Sequence, residues 1–324
     1  MIASRGRLRK RRTLRGTLYG ALKRLGAQGL PLVPTALNRK LEQFGRLGYV
    51  PDYERPRTFH ERLVWLLEHV EDERRTHLAD KLAAKDFALA RYPSLKVAPV
   101  LTAAATGAGL QLDGLPERCV LKTNNNSGTV WVLQQPIDRR AVVAQADAWL
   151  ALDPCAGKPT WERHYAGIEP RAFIEAFLGD DPSVRLTDYR VFVFAGRAHF
   201  VWLRTHRPDG TRVRLLVDRD WRLLPVGRPS SPGAAARPPD PALVPPRPAG
   251  LPDLLAAAEA LAGDLPFVRA DFYLVGGDLY FGELTFAPSA GYIKFPLWFD
   301  RELGRHLPLP IDADGVQERS AGRR

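Results

Sequence analysis

Phe267-Val-Arg269-Ala-Asp271-Phe-Tyr-Leu-Val275-Gly276-Gly277-Asp-Leu-Tyr-Phe281-Gly-Glu283-Leu-Thr285-Phe286 sets two runs of aromatic and aliphatic residues on either side of a Gly-Gly break. That pattern predicts two antiparallel strands joined by a tight turn. Val268, Ala270, Phe272 and Leu274 alternate with Arg269, Asp271 and Tyr273, so the first strand has one apolar and one polar face. Glu283 and Thr285 share a face of the second strand in the same way. A two-residue loop at Gly276-Gly277 would send Asp271 and Glu283 to opposite faces, and an odd loop would bring them together. A three-residue loop needs a left-handed residue in its third position, and Val275-Gly276-Gly277 places a glycine there. The expectation is therefore a three-residue turn, with Arg269, Asp271, Glu283 and Thr285 pointing the same way. Such a face either meets water or, given the large apolar neighbours, gives its carboxylates a cationic partner or a metal ion.

Outward from the hairpin, the 324 residues suffice for a substantial core and two or three lobes. Apolar content of 45% and charged content of 26% are those of a soluble globular chain, and no apolar run approaches the ~18 residues of a membrane span. Cys119 and Cys155 make no disulfide framework, which fits a reducing cytoplasm. The net charge of +11 is concentrated at the start: residues 1–25 hold nine Lys or Arg and no acid, leaving +2 for the remainder. No apolar core of signal-peptide length follows this arm. The basicity is terminal and does not form a nucleic-acid footprint over the whole surface, so no nucleic-acid partner is expected. Leu14, Leu18, Leu22 and Leu25 recur at helical spacing among these cations. They predict a basic amphipathic helix that either meets an anionic membrane surface or docks on its own domain.

Along the chain, a helix is expected over Thr35 to Leu47, and Thr58-Phe-His-Glu61 has capping-box spacing ahead of another. His60-Glu61 lacks a histidine at position 64, which excludes a zinc-protease helix. A helix is predicted from Ala79 through Lys81 to Arg91, then a strand over Val97 to Leu101. Arg118 to Lys122 and Thr129 to Leu133 read as strands flanking the loop Thr123-Asn-Asn-Asn-Ser127-Gly128. That loop is either a plain hairpin turn or a phosphate cradle with a lysine at its entry. A helix from about Arg139 to Leu152 precedes a strand running from Glu169 towards the acids Asp180 and Asp181. Thr187 to Phe194 and Ala198 to Arg204 form a second hairpin. Residues 225–252 hold 10 of the 28 prolines and read as a low-complexity loop, followed by a helix from Pro252 to Gly263. Lysines are scarce beside 38 arginines, which draws notice to Lys81, Lys122 and Lys294.

Six stretches in order over about residues 55–305 resemble the ATP-grasp fold and, more narrowly, the TupA-like family named for a teichuronopeptide biosynthesis protein. They are Arg57 to Trp65, Leu78-Ala-Asp-Lys81, Val120-Leu-Lys122 with its loop to Gly128, Glu169-Pro-Arg171 to Leu178, Asp188-Tyr-Arg190-Val-Phe192, and the hairpin. The resemblance implies an α+β fold, two lobes gripping ATP behind a helical N-terminal region. The implied layout is an arm and lead-in over 1–57, a helical region over 58–117, a small lobe over 118–181, a large lobe over 182–310 and a polar tail.

By the same resemblance Lys81 and Lys122 hold nucleotide phosphates, Ser127 and Gly128 belong to the loop that folds over them, and Glu175, Ala176, Phe177 and Leu178 form the adenine hinge. Asp181 or Asp180 takes the ribose. Asp271, Glu283 and Thr285 are the implied Mg²⁺ ligands, Arg269 the cation at the transferring phosphoryl group, and Arg190 a binder of phosphate or substrate carboxylate. Asn125-Asn126 stands where the family loop commonly carries His-Gly, and Thr285 where the wider fold usually has Asn. The implied activity is an ATP-dependent carboxylate-amine ligase, working through an acylphosphate on a cell-envelope polymer. Its partners would be carboxylate and amine substrates, and its place the cytoplasm or the inner membrane face. A kinase or other transferase of envelope glycans, and a non-catalytic anion-binding adaptor, are the alternatives.

Overall fold

The computed structural model describes residues 43–156, 160–179, 186–206, 210, 212–227 and 239–311. The basic arm, most of the expected helix from Thr35, and Asp180 and Asp181 lie outside them. Within them α1 (Phe59–His69) starts at the expected capping box: Thr58 accepts from the Glu61 amide, and Glu61 returns the bond to the Thr58 amide. The helix predicted from Ala79 to Arg91 begins only at Ala83, and an unpredicted helix ends where it was expected to start: α2 (Arg74–Ala79) and α3 (Ala83–Arg91). Asp80 explains the break, because its Oδ1 accepts from the Leu82 amide at 2.8 Å and competes with the helical pattern. Lys81 therefore stands in the turn between helices.

The strand expected over Val97 to Leu101 also divides, into β1 (Lys96–Val97) and β2 (Val100–Ala104), on either side of Pro99. Then come β3 (Arg118–Thr123), β4 (Val130–Gln134), α4 (Arg139–Leu150) and β5 (Ala172–Ala176). The strands β6 (Asp188–Phe194), β7 (Arg197–His206) and β8 (Arg212–Asp218) precede α5 (Leu251–Ala262). The hairpin is β9 (Phe267–Val275) and β10 (Asp278–Thr285), and α6 (Leu297–Arg305) follows.

Two sheets result. The larger runs β1-β10-β9-β6-β7-β8 and the smaller β2-β5-β3-β4. The chain crosses from one to the other at Ala98-Pro99, where the Pro99 carbonyl accepts from the Ala176 amide at 2.9 Å, tying the crossing to the end of β5. One face of the large sheet packs on α5 through Val191, Val268, Ala270, Leu254 and Ala258, all fully buried. Its other face is half closed: Phe192, Phe194, Phe200 and Phe267 meet Phe59 of α1 and Phe299 of α6. On the small sheet Cys119, Leu121 and Ile174 bury against Val142 and Ala146 of α4, leaving the face with Val120, Lys122 and Glu175 for the cleft.

The hairpin turn corrects the sequence expectation. Asp278 pairs with Val275, so the loop is the two residues Gly276 and Gly277, with φ of +60° and +90°. These are the left-handed angles a two-residue hairpin turn requires and glycine supplies without strain. The pairing then slips by one between Phe281 and Glu283, a β-bulge at Gly282, and from there Glu283 faces Asp271 and Thr285 faces Arg269. The four polar residues do share a face, by a bulge and not by an odd turn.

A Cβ at position 282 would stand 3.1 Å from the Asp271 carbonyl oxygen and 3.2 Å from the Tyr273 ring. Gly282→Val is therefore expected to lower stability by about 1–3 kcal/mol by overpacking and to misalign Glu283. Denaturant unfolding alongside a nucleotide-binding titration checks both effects.

Candidate active site

Pairing across five strands aligns one row of side chains on the face of the large sheet opposite α5. Glu283 of β10 faces Asp271 of β9, Asp271 faces Arg190 of β6, Arg190 faces Trp202 of β7, and Trp202 faces Leu216 of β8. The next row places Thr285 beside Arg269. Arg269 grips Asp271 in a fork, Nε to Oδ1 and Nη2 to Oδ2, both 2.6 Å, and reaches Glu283 at 3.1 Å and the Thr285 hydroxyl at 3.0 Å. The Arg190 Nε lies 3.6 Å from Asp271, and its Nη2 donates to Asp188 at 3.0 Å.

Arg269 and Asp271 keep only 6% and 8% of their side chains exposed, while Glu283 keeps 39% and opens to the cleft. Burial pushes the Asp271 carboxyl up to about 6, opposed by Arg269 and aided by the neighbouring Glu283 charge. Burial would raise Glu283 too, but Arg269, then Lys81, Arg190 and Lys122, outweigh it and hold the carboxyl below its ordinary range. Lys81 and Lys122, which lie outside the large sheet, thus act on Glu283 as well.

On the small sheet Glu175 faces Val120 across β5 and β3, with Lys122 two residues further along the same face. Its two oxygens take one lysine each, Lys122 on Oε1 and Lys85 on Oε2, the latter at 2.7 Å. Lys85 also donates to the Ala98 carbonyl at 2.6 Å, fixing it to the crossing between sheets. Burial would raise Glu175, yet Lys122 and Lys85 outweigh it and keep the carboxylate ionised. On the same sheet face Val100, Val130 and Val132 are 41%, 53% and 48% exposed. Cations beside uncovered valines suit a ligand with an anionic end and a flat apolar one.

Asn124 anchors the loop after β3: its side chain donates to Asp80 at 3.0 Å and to the Glu169 carbonyl at 2.9 Å, and accepts from the Arg171 amide at 2.8 Å. Lys81 Nζ donates to the Asn126 carbonyl at 2.5 Å. Asn125 and Asn126 are buried, and the Asn125 amide and the Asn126 Nδ2 have no protein hydrogen-bond partner. Such orphaned groups call for an oxygen-rich ligand or water.

Beyond β10, Ser289, Ala290 and Gly291 all turn left-handed, with φ of +57°, +54° and +76°. Two side chains hold this costly turn. Trp161 Nε1 donates to the Ala290 carbonyl at 3.2 Å, and His60 Nδ1 donates to the Gly291 carbonyl at 2.7 Å. A carbonyl only accepts, so His60 carries its proton on Nδ1, and Nε2 accepts from the Tyr53 hydroxyl at 2.9 Å. Burial holds the His60 ring down at about 4.

Next to it Asp300, which accepts from the His60 amide at 3.2 Å and from Tyr49 at 2.6 Å, is pushed by burial up to about 6. Unfolded His60 would take up a proton below its ordinary 6.5 that the folded ring refuses, so stability falls on acidification. Folded Asp300 keeps a proton that the unfolded chain has released above 3.8, so its contribution rises on acidification. The two cancel between about pH 4 and 6. Asp300→Asn is expected to expose the His60 slope, up to about 1.4 kcal/mol lost per pH unit on acidification. His60→Gln should reverse the sign. Denaturant unfolding across that range checks both.

Of the residues singled out in the sequence, Arg269, Asp271, Glu283, Thr285 and Arg190 come together on the large sheet, and Lys122 and Glu175 on the small one. Lys81 meets the Asn126 backbone, not Glu175. Ser127 and Gly128 are exposed, Gly128 with φ of +87°. Ala176 ends β5, and Phe177 and Leu178 continue from it. Lys85 was not among the expected site residues. Its signal was a position four residues after Lys81, which points the same way only if one helix spans both. Thr285 and the two carboxylates offer hard oxygen donors, and no group of three or more His, Cys, Asp or Glu forms a metal site among the described residues. Mg²⁺ fits that set, since it commonly takes one or two carboxylates and completes its shell from phosphate and water. No described helix is long and apolar enough to cross a membrane.

No curated protein matches the chain. Among solved structures it is similar to D-alanine–D-alanine ligase from Bacillus anthracis complexed with ATP, at 15% identity and a TM-score of 0.40, over 64% of this chain and 55% of that one. The Helicobacter pylori D-alanine–D-alanine ligase shares 14% identity at a TM-score of 0.40, over 71% and 61%. D-cycloserine synthetase DcsG shares 19% at 0.37, over 72% and 71%. The chain thus spans little more than half the length of the Bacillus ligase. The family model for TupA-like ATP-grasp proteins matches residues 61–308, from the capping glutamate of α1 to just beyond α6. Running through both sheets and every residue of the polar rows, that match means that the chain has the ATP-grasp fold and belongs to the TupA-like ATP-grasp family.

Proposed function

We propose that the protein is an ATP-dependent ligase that joins a carboxylate to an amine on a cell-envelope polymer or its precursor. The observation that carries this is a pair of charged clusters, Asp271, Glu283 and Arg269 on the large sheet and Lys122, Glu175 and Lys85 on the small one, with Lys122 close enough to Glu283 to help hold its carboxyl down. Bound ATP would supply the phosphoryl group that activates the carboxylate, with Mg²⁺ neutralising its charge. Asp271 and Glu283 would hold the metal, with the Thr285 hydroxyl beside them. Arg269, released in part from Asp271, would offset charge at the transferring group. Lys122 and Lys81 would take phosphate oxygens, with the Asn125 and Asn126 amides and the turn at Ser127-Gly128 over them. The base would lie on Val100, Val130 and Val132, its edge on the backbone of Ala176 to Leu178, and Asp181 would take the ribose. Arg190 would hold the substrate carboxylate in line. The basic arm of residues 1–25 would bring the enzyme to anionic lipid at the cytoplasmic face, where envelope precursors are assembled.

The test is ADP release from ATP and Mg²⁺ over a panel of carboxylates and amines. Turnover that needs both supports the ligase. A stable phosphorylated product without an amine would select a kinase, and failure of the protein to bind ATP or Mg²⁺ would overturn the enzyme reading.

A further inference from the structure

Apart from Leu89 on α3 and Leu152 just after α4, the large apolar side chains left exposed among the described residues fall into two groups. One lies on β2 and β4, where the proposed base pocket accounts for Val100, Val130 and Val132. The other has no part in the site: Leu297 and Trp298 open α6, 39% and 57% exposed, with Phe44, Val50 and Ile311 in the segments before and after it. Phe299, Asp300, Leu303 and Gly304 turn α6 towards the protein. Its outer face carries Leu297, Trp298, Arg301 and Arg305 at helical spacing, all exposed. A helix that meets only water has polar residues across its outer face, whereas this one turns a tryptophan outward.

The start of the described chain is tied to this helix. Gln43 Nε2 donates to the Tyr53 hydroxyl at 2.9 Å, Tyr53 meets His60, and the His60 amide donates to Asp300 at 3.2 Å. Tyr49, next to Val50, donates to Asp300 at 2.6 Å. Residues 1–42 therefore join the fold in the corner that holds α6, and the first 25 of them carry nine cations and no acid. On the flank of the outer face the one acid of that turn, Glu302, is engaged by Arg305. Leucine and indole at one end of a helix face and arginines along the rest suit the boundary between headgroups and acyl chains: the apolar groups sink in, and the guanidinium groups reach lipid phosphates. A second copy packed through the same patch would bring the arginines of both copies together across the two-fold axis, whereas an anionic bilayer neutralises them.

We propose that the outer face of α6 is a membrane-docking surface, on which Leu297 and Trp298 enter the interface of an anionic bilayer and Arg301 and Arg305 pair with lipid phosphates. The basic arm supplies the attraction that draws this face down, and the face supplies the apolar contact that the arm's charge alone does not give. Stable attachment takes two such signals, since either one by itself is weak and reversible. The proposal rests on the membrane reading of the arm and gives it a folded partner; the chemistry of the cleft does not enter.

Co-sedimentation of the full chain with vesicles of phosphatidylcholine, alone or with about a third phosphatidylglycerol, tests it. The chain is expected to bind the anionic vesicles at least about tenfold more tightly than the neutral ones. Trp298→Ala with Leu297→Ala should weaken that binding by about tenfold or more. The unfolding midpoint should stay close to that of the parent chain, because both side chains are exposed in the free protein. Brominated acyl chains should quench the tryptophan fluorescence of the bound parent, and Trp298→Phe should remove most of the quenching although the other tryptophans remain. Undiminished binding in the folded double variant, or quenching that survives Trp298→Phe, would overturn the α6 face and leave the arm to act alone. No binding of the parent chain to anionic vesicles would overturn the face and the membrane reading of the arm together. Changing the nine cations of residues 1–25 to Gln separates the two: Trp298-dependent quenching that persists at full strength keeps the face and removes the arm. A dimer in light scattering without vesicles, lost in the double variant, would give the face to a second copy and overturn the proposal.

Discussion

Asp271→Asn is expected to lower ATP turnover by about 10²–10³-fold, the loss typical of removing one preorganised charged group from a transition state. Asp271 is the centre of the polar row: it takes both arms of the Arg269 fork, faces Glu283 across the hairpin and lies 3.6 Å from Arg190. An amide offers one neutral oxygen where the carboxylate offers two charged ones, so the Arg269 fork loses its anchor, and a divalent ion held there would lose one as well. The change also has a structural cost, because Arg269 is only 6% exposed and would be left with the half-open Glu283. Breaking a buried ion pair commonly costs about 3 kcal/mol or more.

Activity and stability must therefore be read separately, and Glu283→Gln is the control. Glu283 keeps 39% of its side chain exposed, and Arg269 would retain Asp271. The variant should lose turnover to a similar degree with a much smaller drop in stability. Steady-state ADP release and denaturant unfolding on both variants check this. Turnover within about threefold of the parent in either would remove the acids from the chemistry.

Glu175→Gln should give the largest stability loss on the small sheet. Lys85 and Glu175 expose 7% and 8% of their side chains, and Lys122 reaches the second carboxylate oxygen. Without the carboxylate, Lys85 remains a buried ammonium with only the Ala98 carbonyl to meet it. A cost of about 3–5 kcal/mol follows from stranding that charge, and Lys122, 27% exposed, adds less because water reaches it. Lys85→Met added to Glu175→Gln removes the stranded charge and should recover much of the stability, because an apolar replacement of a buried pair is often close to neutral. Nucleotide affinity should not recover, since Lys122, proposed to take phosphate oxygens, depends on Glu175 for its placement. Denaturant unfolding and ATP titration on the three variants decide it. A double variant no more stable than Glu175→Gln would show that the pair is not coupled in this way.

The sequence by itself determined the local elements and the faces of the hairpin. Alternation of Val268, Ala270 and Phe272 with Arg269 and Asp271 is readable because the side-chain period of a strand is two and one face had to be buried. The capping box at Thr58 and Glu61 and the glycines at 276 and 277 are equally local, each a backbone need met within four residues. Residue types and order along the chain also carried the family.

Tertiary structure alone decided what depends on partners far along the chain. The hairpin takes the shorter turn and regains its register at Gly282, because Asp271 and Glu283 can share Arg269 only if the strand slips by one. Lys85 reaches Glu175, 90 residues away, and leaves Lys81 to the Asn126 carbonyl, because Asp80 holds Lys81 in a turn ahead of the helix that carries Lys85. Lys96 to Ala104 serves two sheets because Pro99 ends one pairing and begins another. The left-handed turn at Gly291 is held by His60, 231 residues earlier in the chain. Periodicity and caps report on neighbours in sequence, whereas register, ion-pair choice and clefts are set by which surfaces exclude water together.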